Sequence, residues 1–328
     1  MRLEITRQEG LRNDLLLRLD RSEIQGALLS IANRYRLMAL PGIPRHRPAT
    51  EAEQGWLDST KLPIEQHLAQ IGLLDRAGRS TARAIAITNR NLGTNHGHLA
   101  YERDAHPRIF AVREDPCDHA AYACLTAWSD GRLSIESLVF DLQVQTVRDG
   151  EGADLRDAVE WATSGQQVLR SGVVVSMDAL VDRFYDVRHL FAFEARGAEG
   201  DAARQRIYNG YPERFRENVR AAWRSGLPRA RYVHNAVGLS ADGVFILQRE
   251  GTVEEIGQAL KEAGATEGIV LDNGGSVACW VWWANDYAGG LVSPTVDYRP
   301  PGTSAIAFVL KGGARPSLPG GSVSYTVV

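Results

Sequence analysis

Apolar residues in the last third of the chain fall in short alternating runs, and each run stops at a turn-forming residue. Residues 233–239 and 244–248 read as two strands joined by Ala241-Asp242-Gly243, a hairpin signal because Asp-Gly accepts the tight-turn backbone. Thr252-Val253-Glu254-Glu255 follows, a capping box in which the Thr hydroxyl accepts from the third backbone N–H and Glu255 reaches back to the cap. The stripe Ile256, Leu260 and Ala263 predicts a helix, and Gly264 supplies its stop. Residues 268–271 and 277–283 are two further apolar runs. Between them lies Asp272-Asn273-Gly274-Gly275-Ser276.

Nearer the N-terminus the spacing changes. Leu11, Leu15, Leu16, Leu19, Ile24, Leu28, Ile31, Tyr35 and Met38 recur at mostly helical intervals, which predicts an amphipathic helix over 10–38. The proline-rich stretch 41–48 ends it. A second helical stretch is expected over 62–75, opening near Pro63. Residues 84–88, 108–112 and 133–140 read as strands, the last introduced by the turn signal Asp130-Gly131. Leu155, Val159 and Trp161 suggest a helix over 155–164, and 165–172 a short strand entering a turn. The Arg- and Glu-rich stretch 200–227 reads as a polar helical insertion. The expected fold class is therefore α+β: a mixed β-sheet core with flanking helices. Residues 1–80 form a helical N-terminal extension in this reading, and 81–328 the main domain.

Composition narrows the partners. A net charge of −3 over 328 residues gives no general attraction to nucleic acid. The 200–227 stretch then reads as a solvated helical face before a nucleic-acid surface. No apolar run approaches the roughly 18 residues needed to cross a bilayer. The N-terminus shows no secretory h-region, so a cytoplasmic protein is expected. Three cysteines, Cys117, Cys124 and Cys279, cannot all pair within one chain, and the 117/124 spacing matches no common zinc site. Reduced thiols are the expectation. The partner expected is a small molecule, with no cofactor, and a homo-oligomer is left open.

The chemistry concentrates at turns. Asp272 directly follows an apolar run, so its carboxylate sits at a strand end. It could act as general acid or base, bind a sugar hydroxyl or hold a cation, or it could only cap its own loop. Asn273 and Ser276 are polar neighbours, and Gly274 and Gly275 let the backbone approach a ligand closely. His234 and Asn235 interrupt an apolar strand. Alternation sends them to opposite faces, so only one of the two can face a pocket, and His234 is either an acid or base there or a hydrogen-bonded core histidine. Glu250, just before the capped helix, is either a second carboxylate or a solvated loop charge. Asn89, Arg90 and Asn91 open a polar segment that follows a strand, and Arg90 has the fork geometry to hold a phosphate. His96 and His98 in the same segment form a pair with no third ligand in view, so no metal site is assigned. Trp280, Trp282 and Trp283 offer one stacking wall, expected at Trp280, with the others in the core.

Taken in order, these segments resemble the phosphodiester glycosidase family. The residues that carry the likeness are His234-Asn235-Ala236-Val237-Gly238, then Asp242-Gly243, then Gly251-Thr252 with Glu255, then Leu271-Asp272-Asn273-Gly274-Gly275-Ser276. Upstream, Thr163 through Leu169 with Gly172, and Ala84 to Asn91, look like two earlier elements of the family. The likeness spans roughly 84–310 and is densest after 230. The resemblance implies a hydrolase that cleaves the bond between an anomeric carbon and a phosphate. Arg90 or a neighbouring donor would hold the phosphate. Asp272, with His234 or Glu250, would move protons and stabilise an oxocarbenium-like transition state. Asn89, Asn91, Asn235, Asn273, Gly274, Gly275, Ser276 and Trp280 would line the substrate. The chain departs from the family where His234-Asn235 replaces Arg-Thr, where Asn273 replaces a turn glycine, and where the loop at 248–250 is short. These departures keep two alternatives open. One is a repurposed scaffold acting on a glycosylated or nucleoside-like metabolite in specialised metabolism. The other is a catalytically silent ligand-binding protein.

Overall fold

The computed structural model describes residues 2–7, 13–32, 62–75, 81–89, 99–103, 108–111, 121–141, 144–176, 231–274, 277–282, 290–292, 302, 304–311 and 325–327. These residues are mostly β, with two α-helices among them, so the α+β expectation is corrected to a β architecture. Three sheets form it. The large sheet runs Val173–Val174, Gln166–Arg170, Glu267–Asn273, Tyr232–Leu239, Gly243–Gly251, Asn13–Asp20, Arg2–Arg7 and Tyr325–Val327 from edge to edge. Among the described strands its one parallel pair joins Arg2–Arg7 to Tyr325–Val327. A five-stranded sheet runs Gly290–Val292, Cys279–Trp282, Ala84–Asn89, Ser304–Leu310 and Ile24–Ile31. A six-stranded sheet holds the strands between Leu99 and Ser164.

The helical N-terminal extension is overturned most clearly. Residues 13–31 form two strands joined by a short 3-10 turn, one in each of two sheets. Leu15, Leu17 and Leu19 are at most 1% exposed and alternate with Asp14, Leu16 and Arg18, which is the period of a strand with one face in the core. The triplet Leu15-Leu16-Leu17 fits either period locally, and packing between neighbouring strands decides it. The same correction applies to 155–164. Val159–Ser164 is a strand, and the Trp161 indole N–H donates to the Ala27 carbonyl at 2.8 Å, tying the six-stranded sheet to the five-stranded one.

Other expectations hold. The hairpin Tyr232–Leu239/Gly243–Gly251 forms in continuous antiparallel register. Helix α1 (Ile64–Gln70) lies within the expected 62–75 stretch. Helix α2 (Val253–Glu262) carries both halves of the capping box, with Thr252 Oγ1 accepting from the Glu255 N–H and Glu255 accepting from the Thr252 N–H. The 200–227 stretch lies outside the described residues.

The main core sits between the inner face of the large sheet and the other two sheets, where Leu17, Ile246, Ile269, Ile87, Phe308 and Leu125 meet. Helix α2 covers the outer face of the large sheet through Val253, Ile256 and Leu260. Helix α1 covers the outer face of the five-stranded sheet through Ile64 and Leu68. Cys124 and Cys279 are buried thiols outside any disulfide, and burial pushes the Cys279 thiol up. Among the described residues no helix is long and apolar enough to cross a membrane.

Candidate functional site

Register brings several strand ends to one end of the core. The end of Glu267–Asn273 pairs with the start of Tyr232–Leu239, which pairs with the end of Gly243–Gly251. The next described strand, Cys279–Trp282, has its start paired near the end of Ala84–Asn89. Asn89 in turn pairs with Ser304. Asp272, Asn235, Gln248, Asn89 and Ser304 therefore gather at one end of two facing sheets.

A bulge sets the direction of Asp272. Asn235 is partnered with Asp272 but Ala236 with Val270, so Leu271 is an extra residue on its strand. Leu271 and Ile269 face the core, and Val270 faces α2. Strict alternation would send Asp272 to the α2 side with Val270. The inserted residue returns it to the inner face opposite Asn235, as bulges commonly do beside functional sites. Asn235 is on that face because it alternates with Ala236, which packs under α2. Gln248, its partner on the next strand, donates from Nε2 to Asn235 Oδ1 at 3.2 Å. Asp272, Asn235 and Gln248 thus form a polar row across three strands, each 0% exposed. Asp272 Oδ1 accepts from the Asn273 N–H at 2.8 Å. Glu250 lies two residues beyond Gln248, on the same face by alternation, and is partly exposed.

His234 and Asn273 are partners on the opposite, helix-covered face. His234 is 0% exposed, and desolvation lowers its pKa to about 4, opposed by a main-chain hydrogen bond with Gly251. It is a neutral imidazole at physiological pH, separated from Asp272 by the sheet. Gly274 adopts φ +75, the left-handed region, as expected of a turn glycine. Trp280 is 8% exposed and packs with Ile64, Leu68 and Ala305 beneath α1, on the face of its strand opposite Cys279. Arg90, Asn91, His96, His98, Gly275, Ser276, Trp283 and Cys117 lie outside the described residues. Asn89 is placed by its backbone alone. Among the described residues no three His, Cys, Asp or Glu side chains gather as a metal site.

Two polar features escape sequence reasoning. Gln248 reads there only as the last residue of a strand, and its exact partnership with Asn235 follows from hairpin register. The other feature is a buried serine–histidine pair. Ser30 Oγ lies 3.1 Å from His67 Nδ1, and His67 Nε2 lies 3.0 Å from the Gly302 carbonyl. A carbonyl only accepts, so Nε2 carries the proton and Nδ1 is an acceptor, and the Ser30 hydroxyl lies within reach of both Nδ1 and the His67 carbonyl, to which it donates at 3.2 Å. Both residues are at most 1% exposed, and burial lowers the His67 pKa to about 4. The pair fastens α1 to the five-stranded sheet.

No family model matches the chain, and no curated protein matches it in sequence. Among solved structures it is similar to the catalytic domain of zebrafish N-acetylglucosamine-1-phosphodiester alpha-N-acetylglucosaminidase, auto-inhibited by its pro-peptide. The identity is 11% and the TM-score 0.47, covering 94% of this chain and 82% of that one. It is also similar to a hypothetical protein from Synechocystis at 10% identity and a TM-score of 0.36, covering 94% of this chain and 61% of the other. Both likenesses are distant. Scores below 0.5 carry no argument about activity, so function is read from this chain's own residues.

Proposed function

We propose that the chain is a hydrolase that cleaves the glycosidic bond to phosphate in a sugar phosphodiester. The observation that carries this reading is the inward-turned Asp272, a fully buried carboxylate beside two buried amides at the converging strand ends. A carboxylate is costly to bury, and a bulge that turns one inward is better explained by a task there than by packing. The motif around it is also the one that resembles phosphodiester glycosidases.

In the proposed reaction Asp272 takes a proton from water as its oxygen attacks the anomeric carbon. The C–O bond to phosphate breaks, and the phosphate monoester leaves with the bonding electrons. Phosphate is a good leaving group, so little acid assistance is needed. Asn235 and Gln248 hold sugar hydroxyls. Glu250 is the second carboxylate. A strand spacing of about 4.8 Å and a rise of about 3.4 Å per residue put its Cα about 12 Å from that of Asp272. Side chains reaching toward each other from there can approach the about 6.5–9.5 Å of an inverting pair.

The test is incubation with methyl phosphodiesters of hexose and N-acetylhexosamine 1-phosphates in water enriched in oxygen-18. Methyl phosphate is expected to appear by phosphorus NMR, with the heavy oxygen in the sugar. No turnover of any diester by the folded wild type overturns the reading. A second reading, ligand binding without turnover, draws on the row itself, which holds one carboxylate among amides.

A further inference from the structure

Gln248 is fully buried, and its two ends differ. Nε2 donates to Asn235 Oδ1 at 3.2 Å, while Oε1 receives no donor from the described residues. A buried carbonyl oxygen without a donor is strongly disfavoured, so a group that reaches it must bring an N–H or O–H. The chemistry of the row narrows what that group is. Asp272 and Gln248 Oε1 both accept hydrogen bonds. A phosphodiester anion also only accepts, and its charge is repelled by a carboxylate. A sugar ring, in contrast, carries several hydroxyl donors.

We infer that Gln248 is a specificity-determining residue that accepts from a sugar hydroxyl, so the ligand lies sugar-inward with its phosphate on the far side of the anomeric carbon from Asp272. Asn235 positions Gln248 by holding its other end. This inference rests on the reading of the row as a sugar-phosphodiester site and assigns an orientation within it. It also fits displacement by water, because Asp272 and the leaving group then stand on opposite sides of the reacting carbon.

The test separates the two halves of the ligand. Methyl α-glucoside and methyl N-acetyl-α-glucosaminide carry the sugar alone, and dimethyl phosphate carries the phosphodiester alone. Dissociation constants come from NMR titration of the wild type, of Gln248→Met, which keeps volume without a carbonyl, and of Gln248→Glu at pH 5, which keeps an acceptor. In Gln248→Met the constant for the better-bound glycoside is expected to rise about 3- to 10-fold, the range of one neutral hydrogen bond, with dimethyl phosphate unchanged. Gln248→Glu is expected to stay within about twofold of the wild type for the glycoside, and should the Met variant fail to fold, Gln248→Asn, which draws the carbonyl back by one methylene, is expected to show the same rise of about 3- to 10-fold. Equal glycoside affinity in Gln248→Met and the wild type overturns the inference, as does no glycoside binding by the folded wild type. Weakening confined to dimethyl phosphate also overturns it. A wild type that binds glycoside through Gln248 but hydrolyses no diester sinks the hydrolase reading and leaves this orientation standing.

Discussion

His234 and Asp272 belong to neighbouring strands of one sheet yet face opposite sides of it. Asn235, next to His234 in sequence, is the residue that stands opposite Asp272. The sequence motif that joins histidine and aspartate in one imagined site therefore splits in three dimensions. The aspartate and two amides line the inner face, and the histidine lies under the helix-covered outer face. Any reaction at Asp272 takes its second ionisable group from another strand, and Glu250 occupies the right face for that.

This division sets different expectations for two substitutions. Asp272→Asn removes the proposed general base with little change in shape, and turnover of the best diester should fall by about 10²–10⁴-fold, the usual worth of general base catalysis. His234→Gln should leave kcat within a few-fold and act on stability instead, because the imidazole is buried on the face of the sheet opposite Asp272. The paired measurements are kcat at saturating substrate and the urea midpoint. A collapse of kcat in a stably folded His234→Gln would place the histidine in the site after all.

Both buried histidines make stability depend on pH in one direction. His67 and His234 have folded pKa values of about 4, lowered by burial from the ordinary 6.5. A lowered histidine pKa means the unfolded chain binds protons first, so folding is disfavoured as the pH falls. Their contribution is fully present above pH 6.5 and is lost between 6.5 and about 4. Each group accounts for roughly 3 kcal/mol across that window. Urea melts at pH 7.5, 6, 5 and 4.5 should show stability falling steadily. His67→Gln, which keeps a donor to the Gly302 carbonyl, should flatten the slope by about half. An unchanged slope in that variant would mean that His67 takes up its proton at the same pH in the folded and unfolded chain.

The C-terminal third was legible because its signals are local: an Asp-Gly turn, a capping box and a helix stop each need only a few adjacent residues. The N-terminal strands were not. Leu15-Leu16-Leu17 satisfies a helical stripe as well as a strand, and pairing with neighbouring strands, one of them Gly243–Gly251 more than 220 residues away, chooses between them. The site divides in the same way. Asp272 stands out from its place after an apolar run, and the opposite orientations of His234 and Asn235 follow from period alone. That Asp272 shares the face of Asn235 depends on the extra residue at Leu271. That Gln248 joins them depends on hairpin register. Neither leaves a mark in the local sequence.

The turn after Asp272 gives a conformational test. Gly274 has φ +75, and among the described residues a Cβ built there would meet nothing within 4 Å. Against the described residues, substitution is therefore a question of backbone strain. Gly274→Ala should cost about 1 kcal/mol, and Gly274→Asn less, since asparagine tolerates the left-handed region. Chemical denaturation of both variants checks the order. Equal stability of Gly274→Ala and the wild type would show that the turn readily adopts another conformation.

A second glycine tests close packing instead. At Gly257, in the middle of α2, a Cβ would lie 2.4 Å from the Val168 carbonyl oxygen and 3.2 Å from Val174 Cγ1. Alanine is the better helix former by about 1 kcal/mol, so propensity alone predicts that Gly257→Ala stabilises. The contact predicts the reverse, because the opposing atom is backbone in a paired strand and cannot rotate away. Overpacking of this kind typically costs about 1–3 kcal/mol and exceeds the propensity gain. Gly257→Ala should therefore lower the urea midpoint, and amide exchange should quicken in Gln166–Arg170, the strand that α2 presses on. Helix α2 packs on the face of the large sheet opposite Asp272. Kcat, measured well below the melting temperature, should change far less than stability. A stabilised variant would mean that α2 can lift from the sheet at little cost.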